Sequence, residues 1–212
     1  IIIVVFGALL EKTGASGVLM DIAVSMTRNS KGGPAKAAVV GSSLMGMISG
    51  TAVANVLTTG TISIPLMRRG GYRPAVAGAV EAVASTGGQL MPPIMGAAAF
   101  LMADIMEVPY LDITKAALLP ALLFYIAVFA SVHLEAVKLG LKPLNGIEVP
   151  DVALSLRNSG HVLISIPIFI GTLISGYSVM YSSLAGIVSL LALSLLRHSS
   201  RLNPRQLVAA AV

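Results

Sequence analysis

The feature that most restricts the fold is one apolar segment, residues 35–67, with a basic cluster at each end. The clusters are Arg28, Lys31 and Lys36 on one side and Arg68, Arg69 and Arg73 on the other. In a membrane protein, loops rich in Lys and Arg stay in the cytoplasm, so both ends belong on the same face. Each half of the segment reaches only about 24 Å as a helix, short of a hydrocarbon core of ~30 Å. The sequence therefore predicts a re-entrant helical hairpin over residues 35–67.

The composition indicates that the chain lies in a lipid bilayer. Of the 212 residues, 56% are hydrophobic and 11% are charged, whereas about a quarter of the residues in a soluble domain are charged. The apolar runs have the length of helices and lack the alternation of barrel strands, so we predict an all-α polytopic membrane protein. The net charge of +5 comes from short basic loops, and we therefore expect no nucleic-acid partner. The absence of cysteine excludes disulfides and thiolate metal sites.

Residues 74–106 are predicted to form a broken helix. The centre of this segment reads "ASTGGQLMPP", in which glycines and prolines weaken a helix and prolines remove backbone donors. We expect two half-helices that meet at an unwound stretch, with the backbone unwound from Ser85 to Gly88.

The other segments are assigned from their length and charge. Residues 1–27 are predicted to be the end of a transmembrane helix plus an amphipathic arm, and residues 116–137 a transmembrane span. Residues 138–160 are predicted to be a cytoplasmic connection, and residues 161–196 two further transmembrane spans. Three tyrosines fall at predicted outer boundaries, where interfacial aromatics are expected: Tyr110, Tyr177 and Tyr181.

Small polar side chains at both interruptions indicate a transporter binding site. Hydroxyl, amide and unwound carbonyl oxygens can replace the water around a small cation, and half-helix N-termini favour an anion. Asn55 at the hairpin tip favours a functional role, because intramembrane polar groups are costly. For Thr58, Thr61 and Ser63, hydrogen bonding back to their own helix is an equal alternative. Glu81 is either functional or a neutral, hydrogen-bonded packing residue.

Three stretches carry a family resemblance: "FGALLEKTGA", "LNPRQLVAAA" and the long run "SGTAVANVLTTGTISIPLMRRGGYRPAVAGAVEAVASTGGQLMPPIMGAAAFLMA". They resemble the large membrane (permease) subunit of tripartite ATP-independent periplasmic (TRAP) transporters. The resemblance is strongest to the fused-permease branch, whose partners are TAXI-type binding proteins. It implies sodium-coupled secondary import (symport) of an organic acid across the bacterial cytoplasmic (inner) membrane by a multi-pass protein. A periplasmic substrate-binding protein would deliver the substrate, and a small membrane subunit would take part, either separate or fused upstream.

The same resemblance implies an elevator-type fold with two inverted repeats, each containing a re-entrant hairpin and a broken helix. Residues 197–212 would then be the start of a truncated second repeat. Sodium is the implied coupling ion, with no other cofactor and no catalytic residue. The implied sodium site comprises Ser49, Gly50, Asn55, Ser85, Thr86, Gly87 and Gly88. The substrate-side candidates are Thr58, Glu81, Gln89 and Pro92.

Three other functions remain as alternatives. A binding-protein-independent sodium/dicarboxylate-type carrier would share the architecture and would differ by needing no delivery protein. A channel would share the broken helices and would differ by lacking saturable, sodium-dependent uptake. An intramembrane hydrolase would use Ser49 as nucleophile and would need a base beside it. The histidine that lies well inside a predicted span, His133, is at the cytoplasmic end, away from the hairpin tip.

Overall fold

A computed structural model describes residues 2–141, 143 and 151–195, and within these ranges the chain is helical and contains no strand. The predicted all-α fold is confirmed over these residues. The first five helices are α1 (Ile2–Lys12), α2 (Ala15–Thr27), α3 (Gly33–Ser49), α4 (Ala52–Arg69) and α5 (Pro74–Gly87). A 3-10 turn (Gly88–Leu90) follows, and then α6 (Ala97–Ile105) and α7 (Tyr110–Lys138). The last described elements are α8 (Val152–Ser159), a 3-10 turn (Gly160–Ile164), α9 (Ser165–Ile174) and α10 (Val179–Leu195).

Helices α3 and α4 form a helical hairpin with a two-residue tip. Gly50 has a left-handed φ of 64°, and its N–H donates to the carbonyl of Gly46 at 3.0 Å, which ends α3. Thr51 is extended and precedes α4. A Cβ at Gly50 would lie 2.5 Å from the carbonyl oxygen of Met95, so both the backbone angle and this contact require glycine. That the hairpin enters and leaves the membrane by one face stays a prediction.

The two basic clusters lie together at the open end of this hairpin. A Cβ at Gly70 would lie 2.5 Å from Cγ of Pro34, and a Cβ at Gly32 would overlap the hydroxyl of Tyr72. Burial raises the pKa of Tyr72 to about 12, and the negative charge of Glu135 acts in the same direction. Tyr72 therefore stays uncharged at neutral pH in the loop between α4 and α5.

The broken helix is interrupted later than the sequence predicts. Gly87 and Gly88 keep right-handed helical angles, so the backbone from Ser85 to Gly87 is helical and Gly88 begins the 3-10 turn. The irregular stretch covers residues 91–96, where Met91 has ψ 119°. A steric clash disfavours the helical region for the residue before a proline, and Met91, which precedes Pro92, is extended. The prediction of an unwound backbone at residues 85–88 was wrong because glycine permits a helix, whereas the prolines end it.

Helix α7 is the one described helix that is both long and apolar enough to cross a membrane, at 29 residues. It contains the predicted span 116–137. Shorter apolar helices occur at Ala15–Thr27, Gly160–Ile174 and Val179–Ser194. The pair of spans predicted at 161–196 corresponds to a 3-10 turn followed by α9 and α10. The connection predicted at 138–160 contains α8; its residues 142 and 144–150, like residues 196–212, lie outside the described residues.

A cluster of apolar side chains joins α1, α3, α9 and α10, and we call five of its large buried members the apolar core: Phe6, Leu10, Ile48, Phe169 and Leu190. The rings of Phe6 and Phe169 stack with centroids 5.6 Å apart. A Cβ at Gly186 would lie 2.9 Å from the ring of Phe6, so α10 approaches this ring closely.

Candidate functional site

The hairpin and the broken helix meet backbone against backbone. A Cβ at Gly46 in α3 would overlap the Cα of Gly88, and the reverse also holds. One turn further along, the tip glycine, Gly50, lies against the carbonyl of Met95 in the irregular stretch. The two interruptions, separate in sequence, therefore lie against each other.

Asn55 lies at this crossing, in the first turn of α4, and is fully buried. Its Nδ2 donates to the carbonyl of Ser42 at 2.8 Å, which fixes the orientation of the amide. A Cβ at Gly46 would lie 3.0 Å from the same Nδ2, and one at Gly88 would lie 3.4 Å from it. Its Oδ1 is buried and has no hydrogen-bond partner among the residues that the structure describes. An unsatisfied buried acceptor costs about 1–3 kcal/mol, so this oxygen is available to a ligand.

Glu81 occupies the centre of a second arrangement, which we call the polar core: Glu81, Ser42, Asn55, Thr59, Ser63 and Ser85, all buried. The hydroxyls of Ser42 and Ser85 each donate to Oε1 of Glu81 at 2.9 Å. Thr59 also donates to Oε1, and Ser63 donates to Oε2. No lysine or arginine in the described ranges forms an ion pair with Glu81. Four hydroxyls from three helices therefore surround this carboxyl group.

The sequence left two alternatives for Thr58, Thr61 and Ser63: a functional role or hydrogen bonding back to their own helix. The structure shows the hydrogen-bond partners of each hydroxyl. Thr61 donates to the carbonyl of Thr58 at 2.8 Å and is exposed, which is a local structural role. Thr58 donates to the carbonyl of Ala54 at 2.9 Å and contacts Glu11 of α1. The hydroxyl of Ser63, by contrast, donates across to α5 and belongs to the polar core.

A cavity of about 240 Å³ opens at the hairpin tip. Its polar lining comes from Ser49, Gly50, Thr51 and Gln89. Helix α4 begins directly after Thr51, and α6 begins at Ala97, which also lines the cavity. Two helix N-termini therefore border the same space, and helix N-termini present free N–H groups and partial positive charge.

The remaining predicted site residues are placed differently. Thr86 is exposed and its hydroxyl donates to the carbonyl of Ala82 at 2.7 Å. A Cβ at Gly87 would overlap the ring of Phe124, so Gly87 faces α7. Pro92 lies in the irregular stretch and is partly buried. The structure thus brings five of the predicted residues to the meeting point of the two elements: Ser49, Gly50, Asn55, Ser85 and Gly88. The side chain of Thr86 and the Cβ direction of Gly87 point away from it.

Two residues at the site were missed by the sequence analysis. Ser42 binds both Glu81 and, through its carbonyl, Asn55. Tyr110, predicted as an interfacial aromatic, is buried; its hydroxyl donates to the carbonyl of Ile94 and its ring stacks on Phe100 at 4.5 Å. The burial of Tyr110 follows because the irregular stretch leaves carbonyls that need a donor, and its position at a membrane boundary stays a prediction. Tyr177 and Tyr181 are exposed and stack at 4.8 Å.

At the hairpin tip, the side-chain oxygens belong to the neutral groups of Ser49, Thr51 and Gln89. The part of the chain that the structure describes contains no group of three or more His, Asp or Glu side chains that could hold a metal. The hydroxyl of Ser49 donates to the carbonyl of Thr51 at 3.4 Å, whereas His133 lines a separate groove of about 520 Å³ with Lys36. The described hydrogen bond of Ser49 thus stays within the hairpin tip, and His133 lies in a different groove.

Residues 1–212 match the family described as "Tripartite ATP-independent periplasmic transporter, DctM component". The chain belongs to the DctM family. The predicted family is thereby confirmed, and the site described above lies in a DctM component.

Three curated relatives are similar to parts of the chain, and one of them carries the DctM name. The chain is 28% identical over 170 residues to the C4-dicarboxylate TRAP transporter large permease protein DctM of Pseudomonas aeruginosa, covering 80% of this chain and 39% of the relative. It is 31% identical over 105 residues to the uncharacterized protein y4mL of Sinorhizobium fredii, covering 50% of this chain and 25% of the relative. It is 30% identical over 90 residues to the uncharacterized protein YgiK of Salmonella typhimurium, covering 42% and 21%. The chain thus spans about two fifths or less of the length of these relatives.

Proposed function

We propose that the protein takes part in sodium-coupled import of an organic acid, of the C4-dicarboxylate class, across the bacterial inner membrane. A periplasmic substrate-binding protein delivers the acid, and a small membrane subunit completes the transporter. The DctM family and the name of the Pseudomonas relative support the transport class. The chain supplies a hairpin and a broken helix to a polytopic membrane protein. The periplasmic binding protein is proposed because the sequence resembles the branch whose partners are TAXI-type binding proteins.

The observation that carries the proposal is the free Oδ1 of Asn55 at the crossing of two interrupted helices. A sodium ion is a hard cation, and hard cations take oxygen ligands from amides, hydroxyls and carbonyls. Ser49, Asn55, Ser85 and the backbone at Gly50 and Gly88 provide such oxygens at the point where the two elements touch. Neither element offers enough oxygens alone, so the ion is bound between them.

The substrate is assigned to the cavity beside the tip. A carboxylate fits there because the N-termini of α4 and α6 both border it, and anions bind at helix N-termini. Ser49, Thr51 and Gln89 add hydroxyl and amide donors to its lining. Glu81 is shut away from this cavity in the polar core, so of the four substrate-side candidates Gln89 is best placed for a carboxylate.

The decisive experiment measures uptake of a radiolabelled C4-dicarboxylate by the full-length transporter, reconstituted with its binding protein and small subunit. The sodium concentration that gives half-maximal uptake is compared between wild type, Asn55→Ala and Thr61→Val. We expect Asn55→Ala to raise that concentration about tenfold, because one ligand oxygen is lost from the site. Thr61→Val is the control, since its hydroxyl serves only its own helix.

An unchanged sodium requirement in Asn55→Ala, at normal expression, would contradict the assignment of the sodium site. Uptake that needs no sodium gradient would contradict the coupling itself. Omission of the binding protein separates the two carrier types: uptake that persists at full rate without it would favour a binding-protein-independent sodium/dicarboxylate carrier.

A further inference from the structure

Glu81 is the most deeply buried charged side chain of the site, and its position has no role in the proposed function so far. Its accessible surface is 0%, and its carboxyl group accepts hydrogen bonds from both arms of the hairpin and from its own helix. Ser42 belongs to α3, Thr59 and Ser63 belong to α4, and Ser85 belongs to α5. One carboxyl group therefore joins all three helices.

The number of donors matches the capacity of a carboxylate. An ionised carboxylate accepts about four hydrogen bonds and donates none. Four hydroxyls lie within reach of the two oxygens of Glu81. Thr59 can instead donate to the carbonyl of Asn55 at 2.7 Å, and Ser42 to Thr59 at 3.1 Å, so the donors can redistribute without leaving an oxygen of Glu81 bare.

The polar core connects Glu81 to the candidate sodium ligands in short steps. Ser85 is bonded to Glu81 directly at 2.9 Å. Asn55 is reached through Thr59, which contacts both Glu81 and the carbonyl of Asn55. A second route passes through Ser42, whose hydroxyl bonds Glu81 while its carbonyl holds Nδ2 of Asn55. The network therefore contacts the backbone of Asn55 through Thr59 and the side-chain amide of Asn55, which carries the free Oδ1, through the carbonyl of Ser42.

We propose that Glu81 is a positioning residue for the coupling cation, whose carboxylate holds Asn55 and Ser85 in the arrangement that binds sodium. This inference rests on the proposed function, because it assigns Glu81 to the same sodium site. Glu81 does not touch the ion; it acts through Ser42, Thr59 and Ser85. Charge-assisted hydrogen bonds are about twice as strong as neutral ones, which suits a carboxylate to this task in an apolar interior.

The experiment uses the full-length transporter with its binding protein and small subunit in proteoliposomes. Sodium half-saturation of uptake and the maximal rate at saturating sodium are measured for wild type, Glu81→Gln, Thr59→Val and Ser63→Ala. In Glu81→Gln, an amide N–H₂ donor replaces one of the two acceptor oxygens. The hydroxyls that donated to that oxygen then lose their acceptor. We expect sodium half-saturation to rise about tenfold, while the maximal rate at saturating sodium falls less than about threefold.

Two further variants make the test independent of whether Glu81→Gln folds. Thr59→Val keeps the side-chain shape and removes the hydroxyl that joins Glu81 to Asn55, so sodium half-saturation should rise about threefold. Ser63→Ala removes a donor to Oε2 that has no bond toward Asn55. It should change sodium half-saturation by less than about twofold, although it removes a hydrogen bond of the same kind.

A purely structural role predicts another pattern. Glu81→Gln and Thr59→Val would then lower expression and the thermal unfolding temperature of the purified transporter, with sodium half-saturation unchanged, and this result would overturn the inference. If wild-type uptake is sodium-dependent but both variants keep the wild-type half-saturation, only the role of Glu81 fails. If wild-type uptake ignores sodium, the proposed function fails first and the role of Glu81 fails with it.

Discussion

The polar core and the apolar core lie in the same chain and are held together by different interactions. In the polar core, four hydroxyls, one amide and one carboxyl group join α3, α4 and α5 by directed hydrogen bonds. In the apolar core, Phe6 and Phe169 stack between α1 and α9, and Leu10, Ile48 and Leu190 fill the surrounding space. Directed hydrogen bonds thus join the interrupted helices in addition to packing, whereas the flanking helices contact α3 by packing at Ile48.

The difference teaches which forces act where lipid surrounds a protein. Burying an apolar side chain in a membrane protein gains little from water exclusion, because lipid is as apolar as the side chain, so packing and hydrogen bonds hold helices together. Packing tolerates small shifts, whereas hydrogen bonds fix a register. The proposed sodium site, which would present Asn55 and Ser85 to one ion, needs the second property.

The strongest way to break this comparison is to remove a ring from the apolar core. Phe6→Ala should destabilise the transporter by about 3 kcal/mol, because a large cavity opens between α1, α9 and α10. The thermal unfolding temperature of detergent-purified protein should fall, while sodium half-saturation of the protein that remains folded should match wild type. A shift in sodium half-saturation would mean that the two cores are not separate in function.

A methyl group at the helix crossing tests the other region. Gly46→Ala places a Cβ onto the backbone of Gly88, and backbone cannot move aside as a side chain can. We expect a loss of about 2 kcal/mol of stability, as overpacking commonly costs, together with raised sodium half-saturation. Gly78→Ala on α5 is the matched control, since a Cβ there meets nothing within 4 Å. Equal behaviour of the two variants in thermal unfolding and uptake would disprove the tight crossing.

Removal of the hydroxyl of Tyr125 tests the contribution of one hydrogen bond beside the polar core. Tyr125 on α7 donates to the carbonyl of Ala84 at 2.8 Å, one residue before Ser85. Tyr125→Phe should cost about 1 kcal/mol, the usual net value of one hydrogen bond. Tyr177→Phe, whose ring is exposed, should leave the unfolding temperature unchanged. If both substitutions are silent, α7 contributes packing alone to the end of α5.

The sequence predicts the hairpin and the broken helix because both leave strong local signals. Basic residues flank the hairpin, and Pro92 and Pro93 interrupt the second element. The position of the unwound stretch could not be predicted with the same precision, since Gly87 and Gly88 allow a helical or an unwound backbone and tertiary contacts favour the helix.

The polar core could be predicted only in part. Glu81 and Asn55 stand out as polar residues in apolar helices, but the partnership of Glu81 with Ser42 joins residues 39 positions apart. That pairing depends on the register between α3 and α5, which no periodicity in the sequence fixes. The burial of Tyr110 likewise follows from a carbonyl exposed by the irregular stretch, and this carbonyl is visible only in the fold.

The contact between Gly46 and Gly88 has a mechanical consequence. No side-chain layer separates the two helices there, so no change of rotamer can let one slide along the other. Sliding would also break the hydroxyl bonds of Ser42, Thr59 and Ser63 to Glu81, and an unsatisfied polar group in an apolar interior costs several kcal/mol. We therefore expect α3, α4 and α5 to keep their relative positions in any conformational change of the protein, with the bending confined to residues outside them.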